Sequence, residues 1–112
     1  MAGINFEIEI DVKHIPKHLP ETPQMKRLLK KGLSAHIFKD IDTLERVAQA
    51  IIQRGEYTGK IRKYQRYGLY FTELIGYRIS PDLTKIPLYY GEIKINEFKQ
   101  YHVTPRTKPS QE

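Results

Sequence analysis

At Gly55 the chain changes its period. From Asp42 to Ile52 the apolar residues Leu44, Val47, Ala48, Ile51 and Ile52 recur at i, i+3, i+4, i+7 and i+8, the stripe of an amphipathic helix. Asp42 and Glu45 form a capping-box pattern at its start, and Gly55 supplies the stop. From Glu56 onward that spacing is lost, and tyrosines and β-branched residues take over. A helical half followed by a strand-rich half predicts an α+β domain. Helices come first, and a roughly four-stranded antiparallel meander carries them on one face. The expected strands are 57–66, 69–79, 86–95 and 100–105, with SPDLTK (80–85) as a loop and Asn96 to Lys99 as a hairpin turn.

The first half opens on a different pattern. In INFEIEIDV (4–12), Ile4, Phe6, Ile8, Ile10 and Val12 alternate with Asn5, Glu7, Glu9 and Asp11, which predicts a half-buried strand with an acidic outer face. KHIPKHLPET (13–22), with two prolines and two histidines, reads as an ordered loop. Thr22 and Pro23 then suit the cap and first position of a helix carrying Met25, Leu28, Leu29 and Leu33, with Gly32 as its end. SAHIFKD (34–40) reads as a short link to the second helix. No linker or repeat divides the chain, so 1–112 is expected to be one domain: an N-terminal strand (1–13), a helical part (14–55), a sheet (56–105) and a frayed tail (106–112).

Composition narrows the chemistry. There is no cysteine, which removes disulfides, thiolate zinc sites and cysteine nucleophiles and suits a reducing, cytoplasmic site of action. The sequence has no apolar run of about 18 residues, so no membrane span is expected. No secretory leader is visible either, although delivery within a larger exported protein would leave the same sequence. Residues 1–56 hold nine Lys/Arg against eight Asp/Glu, whereas 57–112 hold ten against five and all eight tyrosines. Cations interleaved with aromatic rings suit single-stranded nucleic acid: the charges neutralise phosphates and the rings stack on bases. The same composition also serves a soluble sheet with no such ligand.

Strand alternation sorts these residues into faces. His102, Thr104 and Arg106 point together in the last strand. In the strand before it Tyr89, Gly91, Ile93 and Ile95 are expected to face the core, with Tyr90, Glu92 and Lys94 outward. Lys60, Arg62, Tyr64 and Arg66 share a face in the first strand of the meander. Side by side, these outer faces carry a histidine, a threonine, several cations and tyrosines, an inventory that suits RNA cleavage without metal. Histidine titrates near neutrality and serves as acid or base, and Lys and Arg stabilise phosphate charge. A histidine on an outer strand face is otherwise simply solvated, and His14, His18 and His36 also read as loop or packing residues. His14 and His18 lie four apart, but Pro16 breaks helical spacing and no carboxylates cluster near them, so no metal and no other cofactor is expected. GEYTGKIRKY lacks the P-loop spacing and precedes a strand, which excludes nucleoside triphosphate binding by that motif.

HIPKHLPETPQMKRLL (14–29), SAHIFKD (34–40) and the ending YHVTPRTKP (101–109) resemble segments of C-terminal toxin domains of bacterial polymorphic and contact-dependent toxins. The helices-then-meander order is similar to the barnase–EndoU–colicin–RelE ribonuclease superfamily. The resemblance covers about a third of the chain. The acidic first strand, the basic run YTGKIRKYQRYGLYF (57–71) and the order of the motifs depart from it. It implies metal-independent RNA cleavage, with catalytic roles falling on His36, His102, Thr104 and Arg106. Lys60, Arg62, Tyr64, Arg66, Tyr90 and Lys94 would hold RNA, such as tRNA or another single-stranded RNA. It also implies a cognate immunity or antitoxin protein as partner. A non-catalytic RNA-binding module, or a protein–protein module using Glu7, Glu9 and Asp11, would fit the same residues.

Overall fold

A computed structural model describes residues 3–110. The α+β class holds, but among the described residues the strands number eight and form two sheets rather than one meander. They are β1 (Glu9–Ile10), β2 (Ala35–Phe38), β3 (Glu56–Ile61), β4 (Tyr64–Tyr70), β5 (Gly76–Ile79), β6 (Lys85–Leu88), β7 (Tyr90–Ile95) and β8 (Gln100–Arg106). A five-stranded sheet runs β1-β8-β7-β4-β3, parallel only at β1 and β8, and a three-stranded antiparallel sheet runs β2-β5-β6. Two helices accompany them, α1 (Pro23–Lys30) and α2 (Ile41–Arg54), with single 3₁₀ turns at Val12–His14 and Pro16–His18.

The helix ends show local chemistry at work. Thr22 Oγ1 accepts the Met25 amide at the start of α1, and Gly32 turns left-handed (φ 78°) just beyond its end. At α2 the cap is Asp40, not Asp42: its Oδ1 accepts both the amide and the hydroxyl of Thr43 at 2.7 Å. Leu44, Val47, Ala48 and Ile51 are buried as the stripe requires, against Ile93, Ile95, Tyr101 and Val103 of the large sheet. The expected placement of both helices on one sheet face is corrected by α1. It packs Met25, Leu28 and Leu29 on Ala35, Ile37 and Ile79 of the small sheet, a separate satellite core.

Three further expectations fail for tertiary reasons. The segment 4–12 keeps its alternating burial, with Ile4, Phe6, Ile8 and Ile10 on the main core, yet only Glu9–Ile10 is a strand and Val12 is exposed. Its start is held by α2, since the Gly3 and Ile4 amides donate to the carbonyls of Gly55 and Ile52. The link 34–40 contains a full strand, β2, paired with β5. Residues 57–66 fold back on themselves at Arg62, whose φ is 61°, and the runs 69–79 and 86–95 each divide between the two sheets. Beyond them, Arg106 of the expected tail ends β8, and Ser110 is hydrogen-bonded to Glu92. Residues 111–112 of that expected tail, like 1–2 of the expected first strand, lie outside the described residues.

Candidate functional site

Opposite α2, the second face of the large sheet is built in registered rows. Arg66 pairs with Lys94 and Lys94 with His102; Gly68 pairs with Glu92 and Glu92 with Thr104; Tyr70 pairs with Tyr90 and Tyr90 with Arg106. Directly opposed residues present their side chains on the same side. His102, Thr104, Arg106, Tyr90, Lys94, Tyr64 and Arg66 therefore share one face. Lys60 does not. The turn at Arg62–Lys63 pairs Ile61 with Tyr64 and Lys60 with Gln65, so from Gly59 to Ile61 the odd-numbered positions of β3 face with even-numbered positions of β4; a bulge between Tyr57 and Gly59 then sets Glu56 opposite Gly68. Arg62 sits exposed in the turn itself.

The face is not the open outer surface that alternation predicts. The Pro-rich segment, β2 and residues 107–110 lie over it. Glu92 is wholly buried, and Tyr90, Arg66 and Thr104 are 2%, 6% and 6% exposed, so none of these is a free surface contact. Tyr89, expected in the core, is exposed because it lies at the break between β6 and β7. Arg66 donates to Glu92 at 3.1 Å and to the Ser110 hydroxyl at 2.9 Å, and that hydroxyl and the Ser110 amide both donate to Glu92. Arg106 Nε lies 3.8 Å from the same carboxylate. Two guanidiniums thus face one buried carboxylate, leaving an excess of positive charge.

All four histidines of the chain converge here. The His14 and His102 rings stack with centroids 4.4 Å apart, and Tyr64 meets His102 edge-on at 5.9 Å. His18 Nδ1 lies 2.7 Å from the His36 carbonyl and its Nε2 lies 3.3 Å from Thr104 Oγ1. A carbonyl only accepts, so Nδ1 carries the proton and Nε2 accepts from the Thr104 hydroxyl. His18 therefore ties the Pro-rich segment to both sheets, and the Thr104 proton is engaged structurally.

Burial, followed by neighbouring charge, holds every one of these imidazoles neutral. His18 and His36 are lowered to about 4 and His102 to about 3; His14, more open, is also lowered. Lys94 acts on all four, Lys17 on His14, His18 and His102, and Arg106 on His36. Lys94 is itself lowered, first by burial and then by Arg66. His14 differs in one respect: the Asp11 carboxylate lies 3.7 Å from its Nε2 and favours the charged form.

Among the expected catalytic residues, His36, His102, Thr104 and Arg106 are brought together around Lys94. His14 and Lys17 complete the cluster from outside the expected site, and Glu92, expected on this face as an outward residue, is its buried carboxylate. The available signal was the ordered HIPKHLP segment, which carries two of the chain's four histidines beside a lysine. Among the described residues no group of three or more His, Asp or Glu is placed to hold a metal ion, and no helix is long and apolar enough to cross a membrane.

The molecule is thus an α+β domain with a recessed, histidine-lined cationic face on its larger sheet. It belongs to the family described as Domain of unknown function (DUF6972), which matches residues 6–110. No curated protein and no solved structure matches the chain.

Proposed function

We propose that the recessed face binds RNA and cleaves it by its own acid, base and cations, as an intracellularly acting ribonuclease of toxin type. The observation that carries this reading is the convergence of four histidines with Lys94, Lys17 and Arg106 on one face. A chain with so few histidines has no packing need to gather them among cations, where each is held neutral. A phosphodiester placed among them supplies the missing negative charge and draws protons back onto the imidazoles.

In this scheme His102, neutral and opposite Lys94 on the face, is the base that removes the ribose 2′-OH proton once the bound phosphate has raised its proton affinity. The 2′-oxygen bonds to phosphorus as the bond to the 5′-oxygen breaks. His14, protonated when the phosphate binds and held in that form by Asp11, gives its proton to that leaving oxygen and ends neutral, while His102 keeps the proton from the 2′-OH. Lys94 and Arg106 stabilise the phosphate charge. Thr104 and His18 are positioning residues, and His36 flanks the site from β2. Single-stranded RNA is the substrate class, and an acidic immunity or antitoxin protein would be the natural partner.

The test is incubation of purified protein with total RNA in EDTA. Cleavage that falls by at least about 100-fold in both His102→Ala and His14→Ala supports the reading, since acid–base groups contribute about 10²–10⁴. Intact RNA at high protein concentration, or cleavage indifferent to both substitutions, would sink it. The engaged Thr104 hydroxyl favours a second reading, RNA binding without cleavage. That reading predicts affinity falling steeply between about 50 and 200 mM salt with no strand scission.

A further inference from the structure

At the far end of the same face, about 13 Å along β7 from Lys94 at about 3.3 Å per residue, lies a pocket of about 280 Å³. Its walls include Tyr70, Tyr90, Gly68, Thr58, Pro109 and, at the rim, Glu56. That volume is at the small end of ligand sites, roughly 300–1,000 Å³, with room for one planar ring. Tyr70 is 63% exposed and leans on Tyr90 with centroids 4.5 Å apart, so a large aromatic face is held at the pocket by a buried one. The Tyr90 hydroxyl is enclosed and has no hydrogen-bond partner among the described residues, and it fits only because residue 68 is glycine: a Cβ there would collide with it. Burial raises its pKa to about 12, so it stays a donor.

The charge of the pocket is opposite to that of the protein. Of its lining residues only Glu56 is charged, on a chain of net charge +6. The pocket therefore favours a ring with N–H donors, while phosphate is drawn along the row toward Arg106, which β8 pairs with Tyr90. We propose that this pocket is a nucleobase subsite in which Tyr70 stacks the ring and Glu56 accepts from an exocyclic amino group, so that cytosine is preferred over uracil. The two bases have the same size and differ at position 4, where cytosine offers an amino donor and uracil a carbonyl that the Glu56 carboxylate repels. This rests on the reading of the face as an RNA site but not on cleavage.

Titration of the full chain with 3′-CMP and 3′-UMP, followed by amide NMR shifts and calorimetry, tests it. CMP is expected to shift Gly68, Tyr70 and Glu56 and to bind about tenfold tighter than UMP. Glu56→Gln should collapse that ratio toward one, and Tyr70→Ala should weaken both ligands by about tenfold, within the range for loss of a stacked base. Both residues are exposed, so neither change threatens folding. Equal binding of CMP and UMP, a ratio that survives Glu56→Gln, or shifts confined to another surface would overturn the proposal. Pocket binding without RNA scission removes the ribonuclease alone; scission with a silent pocket removes the subsite alone.

Discussion

Acid should loosen this protein well above the pH at which its carboxylates titrate, and His18 is the residue on which to show it. In the unfolded chain a histidine takes up its proton near pH 6.5. In the folded domain His18 resists until about pH 4, first because it is buried; the hydrogen bond to the His36 carbonyl only partly offsets this. Between those values the unfolded state binds more protons, so stability is full above about pH 6.5 and falls as pH drops toward 4. From pH 7 to pH 5 the difference amounts to about 2 kcal/mol for His18 alone. His36 and His102 shift the same way but are partly exposed, so solvent screening reduces their share. Urea unfolding at pH 7 and pH 5 measures the total, and His18→Leu, which cannot take up a proton, isolates one part. The wild type should lose at least about 2 kcal/mol over that interval, and His18→Leu about 2 kcal/mol less than the wild type does. A flat wild-type profile, or the same loss in both proteins, would refute the argument that burial holds these imidazoles neutral.

Breaking the buried ion pair should cost more than removing it. Glu92→Leu leaves the Arg66 guanidinium buried without its partner and should destabilise by about 3–5 kcal/mol, while the double change Arg66→Met with Glu92→Leu should recover most of that in denaturant melts. Asp40→Ala removes the cap of α2 and should cost about 1 kcal/mol, whereas Asp42→Ala should cost little; equal effects would contradict the cap assignment.

Much of the fold is legible where local physics decides. The α2 stripe, the Thr22–Pro23 helix start, the Asn96–Lys99 turn and the inward Ile93 and Ile95 are read correctly because periodicity and caps act over a few residues. The apolar alternation of 4–12 is real burial, but burial does not require a strand. Whether that backbone pairs depends on β8 and the end of α2, each far away in sequence. The candidate site divides in the same way. The shared face of His102, Thr104 and Arg106 with Lys94 follows from alternation once β7 and β8 pair. The loss of Lys60 from that face follows from a two-residue turn, which reverses the parity across the hairpin.

The sequence by itself determined the α+β class, the two helices and the basic, tyrosine-rich character of the second half, because composition and period are local properties. Only the tertiary structure decided that the strands form two sheets, that the supposed outer face is roofed over, and that four histidines meet on it. Those outcomes depend on contacts between residues far apart in the sequence, 86 positions in the case of His18 and Thr104, and no local pattern encodes such a pairing.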